Sequence, residues 1–327
     1  MRVVLANHSS YPRVSSRDNG TRLRRAYANR ETGKITDTDY AEVARDYTGE
    51  IIAEQQDAGV ELVTDGMVTW NDLMSRPASR LAGVEIDGLV RFFDTNTYVR
   101  QPEVVGGVEG SFGLADDYAI ATDVATAEVK AILTGPYTLA RHSIIKSNGD
   151  LSSLALAYAD ALRNELVALE KAGARVVQID EPSLLKFPDD GELVRNVLER
   201  AMESKGNLFI SLATYFGDAT MMYGELLKMP VDMIALDLVY GPRLAETIIH
   251  EGADKPLALG LIDGRNTKPD DTQAVAGTLG RIVDVLDARG VPEVHLQPSC
   301  GLEFLPRDRA KRKLERMREI RDAVTKT

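Results

Sequence analysis

Eight short apolar runs, separated by helix-like segments, constrain the fold of this chain more than any other feature. Each run is nearly continuous in apolar character and is bounded by turn residues, which is typical of strands buried on both faces. Most of the intervening segments carry apolar residues at three- and four-residue spacings, the pattern of a helix with one buried face. The runs are Val3–Ala6, Glu61–Thr64, Lys130–Leu133, Arg175–Ile179, Leu208–Leu212, Met233–Leu236, Leu257–Ile262 and Glu293–Leu296.

This alternation predicts an α/β fold, and specifically a closed (β/α)8 TIM barrel. The length of 327 residues fits one barrel domain over residues 1–327 with an insertion at 82–125. Within the insertion, Val84–Val90 and Asn96–Val105 indicate a hairpin after the second strand. The alternative is an open doubly wound sheet, which predicts a glycine-rich turn after the first strand. The segment from His8 to Arg13 contains no glycine, so the barrel is favoured.

Composition excludes several classes of protein. The net charge of −11 argues against non-specific binding to nucleic acid, because nothing offsets the repulsion from phosphate. No apolar run approaches the length of a membrane span, and the start of the chain does not resemble a signal peptide. A single cysteine excludes an internal disulfide framework and favours the reducing cytoplasm. With four histidines, it also argues against zinc fingers and iron–sulfur clusters.

Polar residues follow the apolar runs, where the C-terminal ends of barrel strands form the usual active site. Four runs are followed directly by an aspartate, and each aspartate could bind a ligand or could simply cap the next helix. We expect Asp180, Asp237, Asp263, Arg265 and Cys300 to line one cavity. The candidate catalytic residues are Asp180, Glu181, Asp263 and Arg265. The candidate substrate-binding residues are His8, Ser9, Ser10, Arg13, Asp65, Asn71, Tyr215, Asp237 and Asn266.

Three of these positions have a specific chemical interpretation and a structural alternative. Of the adjacent carboxylates Asp180 and Glu181, one could accept hydrogen bonds from a substrate ammonium while the other orients a base or a metal ligand. Arg265 could present its guanidinium to a substrate carboxylate, or it could pair with Asp263 and hold the loop. Cys300, in what we expect to be a tight exposed turn, is either inert or a thiolate that acts as ligand or nucleophile.

Several of these segments together resemble one enzyme family, the cobalamin-independent methionine synthases. The resemblance covers about residues 8 to 320 and implies a TIM barrel that transfers a methyl group to the thiol of homocysteine. It implies an amino-acid substrate, a folate or corrinoid methyl donor that a donor protein could deliver, and a zinc ion that binds the sulfur as thiolate. The motifs that carry it are Ser10–Arg13, Leu133–Thr138, Val176–Leu184, Thr214–Gly217, Asp237–Val239, Leu259–Asn266 and Pro298–Leu302.

The zinc ligands that the resemblance implies are incomplete in this chain. The family has a His-x-Cys pair after the fifth strand, which falls at Leu212 and Thr214, and a glutamate after the sixth, which falls at or beside Asp237. Only the cysteine after the eighth strand is kept, as Cys300. Asp237 and Cys300 are therefore weak candidate metal ligands, because zinc takes three or four protein ligands.

Two further family positions differ, and they leave the reaction open. The histidine after the seventh strand falls at Arg265 and the glutamate after the second strand falls at Met67, whereas the fourth-strand aspartate is kept as Asp180. The favoured function is methyl transfer to homocysteine, giving methionine. One alternative is a divergent member with another reaction or substrate and no catalytic zinc. The other is a non-catalytic binding or partner subunit.

Overall fold

A closed barrel of eight parallel strands forms the centre of the protein. The computed structural model describes residues 1–14, 21–95 and 97–325. The barrel strands are β1 (Arg2–Leu5), β2 (Leu62–Val63), β5 (Glu128–Thr134), β7 (Val176–Asp180), β8 (Phe209–Thr214), β9 (Met233–Asp237), β10 (Leu257–Ile262) and β11 (Glu293–Pro298). They pair in the order β1-β11-β10-β9-β8-β7-β5-β2, and a bridge between Ala6 and Leu62 closes the circle. The predicted TIM barrel is confirmed, with one strand at each of the eight apolar runs.

Helices surround the barrel and follow the predicted apolar spacing. The side chains of Thr36 and Asp150 cap the first turns of the two longest helices, so both starts are fixed by local sequence. The helices are α1 (Thr21–Glu31), α2 (Asp37–Asp57), α3 (Ser75–Ala78), α4 (Ala115–Val124), α5 (Pro136–His142), α6 (Leu151–Lys171), α7 (Ser183–Lys186), α8 (Gly191–Met202), α9 (Tyr223–Leu227), α10 (Leu244–Glu251), α11 (Thr272–Asp287) and α12 (Arg307–Thr325).

Side chains of the barrel strands alternate between two environments. Ile210 and Leu212 pack into the large apolar core between the barrel and the helices, which we call the outer core. Ala213 and Tyr215 instead share a small cluster inside the barrel with Cys300, which we call the inner cluster. This two-residue period decides which side chains of a strand can reach the barrel mouth.

The predicted hairpin insertion lies after the second barrel strand. Strands β3 (Ala82–Arg91) and β4 (Tyr98–Glu109) pair antiparallel, and β6 (Ile144–Ile145) adds a short parallel edge to β4. Phe92 and Val99 of the hairpin are buried against the barrel. Asn96, the first residue of the second predicted hairpin segment, lies outside the described residues. Within the described ranges, no helix is long and apolar enough to cross a membrane.

Candidate active site

A cavity lies between the C-terminal ends of the barrel strands and the β3–β4 hairpin. Five of the candidate residues from the sequence line it, namely Ser9, Ser10, Arg13, Asn71 and Tyr215. The carboxyl and thiol groups expected to line one cavity are not part of this wall, and the other lining residues include Met67, Trp70, Phe92, Val99, Phe216, Gly301, Glu303 and Phe304. The cavity is therefore formed mainly by the loops after β1, β2, β8 and β11 together with the hairpin.

Asp180 lies just behind the cavity wall, at the end of β7. One of its oxygens, Oδ1, accepts a 2.7 Å hydrogen bond from Gln178 Nε2, and Oδ2 accepts a 3.0 Å bond from the Tyr215 hydroxyl. Only 1% of the Asp180 surface is exposed. Burial raises the pKa of Asp180 to about 6, against the effect of these two donors and of the Lys130 ammonium. The carboxylate is thus connected to the cavity through Tyr215.

Two residues of the first loop connect to the same wall. His8 Nδ1 lies 2.8 Å from Ser9 Oγ, and the His8 ring packs edge-on against Tyr215 with ring centres 5.0 Å apart. Burial, followed by the charge of Lys130, holds the pKa of His8 well below its usual value, so the ring is neutral. Ser10 Oγ is buried without a hydrogen-bond partner in the described part of the chain, and it lies beside the cavity.

Glu181 holds the neighbouring loop in place. Its carboxylate accepts hydrogen bonds from the Tyr137 and Thr138 backbone N–H groups, at 2.9 and 2.7 Å, and from the Thr138 hydroxyl, at 2.6 Å. A Cβ on Gly135 would lie 2.1 Å from Glu181 Cδ, so only glycine allows this approach. Burial raises the pKa of Glu181 to about 7 despite the three donors. These contacts place Glu181 at the start of α5 and away from the cavity.

Asp237 and Cys300 do not form a zinc site in the described residues. Asp237 accepts hydrogen bonds from the N–H groups of Val239 and Tyr240, at 3.0 and 2.8 Å, and burial raises its pKa to about 7. The Cys300 thiol is fully buried, and burial raises its pKa well above the usual value. Among the described residues, no group of three His, Cys, Asp or Glu side chains could hold a metal ion. The donor groups present therefore do not fit zinc, which needs deprotonated ligands.

The structure shows which side of β8 each residue near the assigned His-x-Cys positions faces. Leu212 packs into the outer core, on the face of β8 opposite Cys300. The residues of β8 that share the inner cluster with Cys300 are Ala213 and Tyr215, one residue further along the chain. Ala213 and Tyr215 are therefore the β8 side chains on the same side as Cys300, and the Tyr215 hydroxyl is bonded to Asp180.

Asp263 and Arg265 are not joined by the ion pair that the sequence suggested as one possibility. Asp263 Oδ1 accepts a 2.9 Å hydrogen bond from the backbone N–H of Arg265. The Arg265 guanidinium donates instead to the Tyr240 hydroxyl, at 3.0 Å, and to the backbone oxygen of Asp94 in the hairpin, at 2.9 Å. Asn266 is exposed, and its side-chain oxygen accepts from the N–H of Lys268. This loop therefore supports the hairpin from outside the cavity.

The remaining candidates lie around the second-strand loop. Asp65 accepts a 3.0 Å hydrogen bond from the Met67 N–H, and burial raises its pKa to about 7, with a further increase from the Asp117 charge. Asn71 donates to the Tyr27 hydroxyl at 3.0 Å, and Arg13 donates to the backbone oxygen of Trp70. Met67 has a positive φ of 55°, a strained conformation that often marks functional loops.

Two acidic residues that line the cavity, Glu303 and Asp72, were not among the candidates from the sequence. Glu303 lines the wall, and a Cβ on Gly301 would lie 2.1 Å from Ser10 Oγ and 2.3 Å from Glu303 Oε2. The Ser10 and Glu303 side chains therefore both pack against the backbone of Gly301. The Glu303 side chain is exposed, and desolvation by the surrounding protein raises its pKa to about 7, with Arg13 opposing the shift. Its position three residues after Cys300 was the only available signal.

Comparison with families and sequences gives a consistent result. A family model described as "Cobalamin-independent synthase, Catalytic domain" matches residues 10–323. The chain is 31% identical over 314 residues to a methionine synthase of Sulfurisphaera tokodaii, covering 94% of this chain and 88% of the relative. It is 28% identical to a methionine synthase of Pyrococcus furiosus, covering 90% of this chain and 86% of that relative.

Solved structures match the fold. A B12-independent methionine synthase from a Shewanella species, solved with selenomethionine, has a TM-score of 0.77 at 24% identity, covering 90% of this chain and 91% of that chain. A protein of Listeria monocytogenes described as a putative vitamin-B12-independent methionine synthase has a TM-score of 0.75 at 18% identity, covering 98% and 99%. At these identities the two structures support the barrel architecture.

Proposed function

This chain belongs to the cobalamin-independent methionine synthase family, and we propose that it transfers a methyl group to the thiol of homocysteine, forming methionine. The family is one of methyltransferases, and the match extends over nearly the whole barrel. The observation that carries the proposal is Asp180, the matching fourth-strand aspartate, held beside the cavity by Gln178 and Tyr215. A buried carboxylate at this place suits the ammonium of an amino-acid substrate.

The reaction exchanges one bond for another. The homocysteine sulfur forms a bond to the methyl carbon, and the bond between that carbon and the donor breaks, with its electron pair staying on the donor. The thiol proton must leave, because the thiolate is the nucleophilic form. We assign no step to zinc, since the donor groups around Asp237 and Cys300 do not fit it.

Glu303 is the group that we propose as acceptor of the thiol proton. Two carboxylates line the cavity, and that of Asp72 is occupied by hydrogen bonds from the Met74 and Ser75 N–H groups. The pKa of Glu303, about 7, places its basic form at the pH where a cytoplasmic enzyme works. Arg13, which lines the same cavity, lies close enough for its charge to lower the pKa of Glu303. Ser9 and Ser10 complete a polar wall for the substrate.

The alternatives receive less support. A non-catalytic subunit would not need a cavity lined by Glu303, Arg13 and two serines. A different reaction or acceptor remains compatible with the altered β8 and β10 loops, and the donor class is open between a methylated folate and a methylcorrinoid, free or carried by a donor protein. The assay below separates these cases.

The test is direct measurement of methionine. The purified protein is incubated with homocysteine and either methyltetrahydrofolate or methylcobalamin, and methionine is quantified by mass spectrometry, with Asp180→Asn as the matched variant. We expect methionine with one donor, and homocysteine binding weakened in the variant by about 1.5–3 kcal/mol, the scale of a charge-assisted hydrogen bond. Homocysteine binding without methionine would favour another donor or acceptor. No homocysteine binding at all would contradict the proposal.

A further inference from the structure

A buried lysine inside the barrel is connected to Asp180 through one amide. Lys130 Nζ donates to Gln178 Oε1 at 2.6 Å, and Gln178 Nε2 donates to Asp180 Oδ1 at 2.7 Å. Because an ammonium can only donate and a carboxylate can only accept, this arrangement fixes the orientation of the amide between them. Only 3% of Lys130 and none of Gln178 is exposed. The family resemblance assigns a role to Asp180 but none to Lys130 or Gln178.

Lys130 and Asp180 are both buried, so the charged form of each is stabilised by the charge on the other. An isolated buried charge is strongly unfavourable, and the usual result is that the group becomes neutral. Burial lowers the pKa of Lys130 to about 7 while the Asp180 charge opposes the shift, and the corresponding pair of effects raises the pKa of Asp180 to about 6. The histidines whose pKa values Lys130 lowers, His8 and His295, are also held below their usual values by burial.

We propose that Lys130 is a positioning residue for the amino-group subsite: acting through Gln178, it keeps Asp180 ionised and holds it against the Tyr215 hydroxyl. This inference rests on the proposed function, because it concerns the site for the substrate ammonium. Tyr215 lines the cavity, so the arrangement links a charge deep in the barrel to the substrate wall. A lysine with only a structural role would affect every ligand of the cavity to the same degree.

The test compares two ligands that differ in one group. Binding of methionine and of 4-(methylthio)butanoate, which lacks the amino group, is measured by calorimetry for the wild type, Lys130→Met and Lys313→Met. Lys313, on the outer helix α12, is the matched control. It is also 3% exposed, but its ammonium lies 2.8 Å from the Asp270 carboxylate. We expect Lys130→Met to weaken methionine about tenfold, or about 1.4 kcal/mol, and to change the analogue less than twofold. The control should change both ligands less than twofold.

A double variant tests whether Lys130 acts through Asp180. In an Asp180→Asn background, Lys130→Met should change methionine affinity by less than twofold, because the charge that it supports is gone. Equal weakening of both ligands, or the same tenfold loss in the Asp180→Asn background, would overturn the inference. If Lys130→Met does not fold, Gln178→Leu breaks the same connection and takes its place. A wild type that does not prefer methionine to the analogue would instead contradict the amino-acid site of the proposed function, and this inference with it.

Discussion

The guanidinium carbon of Arg265 lies 5.2 Å from the centre of the Phe216 ring. Phe216 lines the cavity with a positive φ of 62°, and its ring centre is 5.8 Å from that of Phe93 in the hairpin. The same guanidinium donates to the Asp94 backbone. The Arg265 guanidinium therefore joins the barrel rim to the hairpin.

Removing the Arg265 guanidinium should weaken the contacts that hold the cavity wall. It should leave unchanged the ionisation of the groups that carry out the reaction. We expect Arg265→Ala to raise KM for homocysteine severalfold. Phe216 loses a cation–π contact of about 0.5–2 kcal/mol, and the hairpin loses the hydrogen bond to the Asp94 backbone oxygen. Arg265→Lys should restore little, since lysine lacks the planar fork that reaches two acceptors. The pH profile of kcat should keep its shape, because arginine does not titrate in this range. A shifted profile in Arg265→Ala would instead assign Arg265 to proton transfer.

Glu303 should determine the acidic side of the pH profile. A carboxylate base must be ionised, so we expect kcat/KM in the wild type to fall as the pH is lowered through about 7. In Glu303→Gln the fall near pH 7 should vanish, which leaves only the loss of substrate binding near pH 6, where Asp180 becomes protonated. The maximal rate should drop by about 10²-fold, at the lower end of general-base effects. Asp65→Asn is the control, because the pKa of Asp65 is also raised to about 7 but its carboxylate bonds to the Met67 N–H. A fall near pH 7 that persists in Glu303→Gln and disappears in Asp65→Asn would reverse this assignment.

Glu181 should matter to stability more than to chemistry. The substitution Glu181→Gln places an NH2 group among three donors, and we expect it to lower the free energy of unfolding by about 1.5–3 kcal/mol. Glu192→Gln, on the exposed surface of α8, is the control and should have little effect. Urea denaturation of both variants measures the difference. If Glu181→Gln kept its stability and lost methionine formation, Glu181 would return to the catalytic residues.

Zinc content is predicted from the ligand positions on β8. We expect substoichiometric zinc in the purified protein, because Asp237 and Cys300 do not form a site. Ala213→His combined with Tyr215→Cys should increase zinc occupancy, since both side chains then share the inner cluster with Cys300. Leu212→His with Thr214→Cys is the control and should not, because Leu212 packs into the outer core. Elemental analysis of the three proteins decides, and one zinc per wild-type chain would contradict the prediction.

The barrel could be predicted from sequence because most strands are nearly continuous apolar runs bounded by turn residues. The run Leu257–Ile262 coincides with β10 in the structure. Which residues of β8 face the inside of the barrel was harder to predict, because a shift of one residue exchanges the two sides of a strand. Both Leu212 and Ala213 are apolar and fully buried, so nothing in their character separates the outer core from the inner cluster.

The parts of the site that were missed depend on long-range contacts. Lys130 begins an apolar run, where a lysine usually reaches solvent, and its partner Gln178 is 48 residues away in the chain. The sequence correctly drew attention to Asp180 and Glu181 but could not separate them, since both follow the same strand. Their partners do so: Tyr215 connects Asp180 to the cavity, while Thr138 connects Glu181 to a helix.

The strands of the barrel are not paired equally around the circle, and the weakest pairing involves β2. The second strand, β2, has two residues, pairs with β5 at two positions and meets the β1 segment through the single bridge of Ala6 and Leu62. By contrast, β7 and β8 pair at five positions. Backbone amides along this seam should exchange with deuterium soonest among the barrel strands, because they take part in the least cooperative pairing. The loops that follow the seam carry Ser9, Ser10 and Met67, so transient opening of the cylinder would widen the substrate entrance and leave the opposite wall rigid.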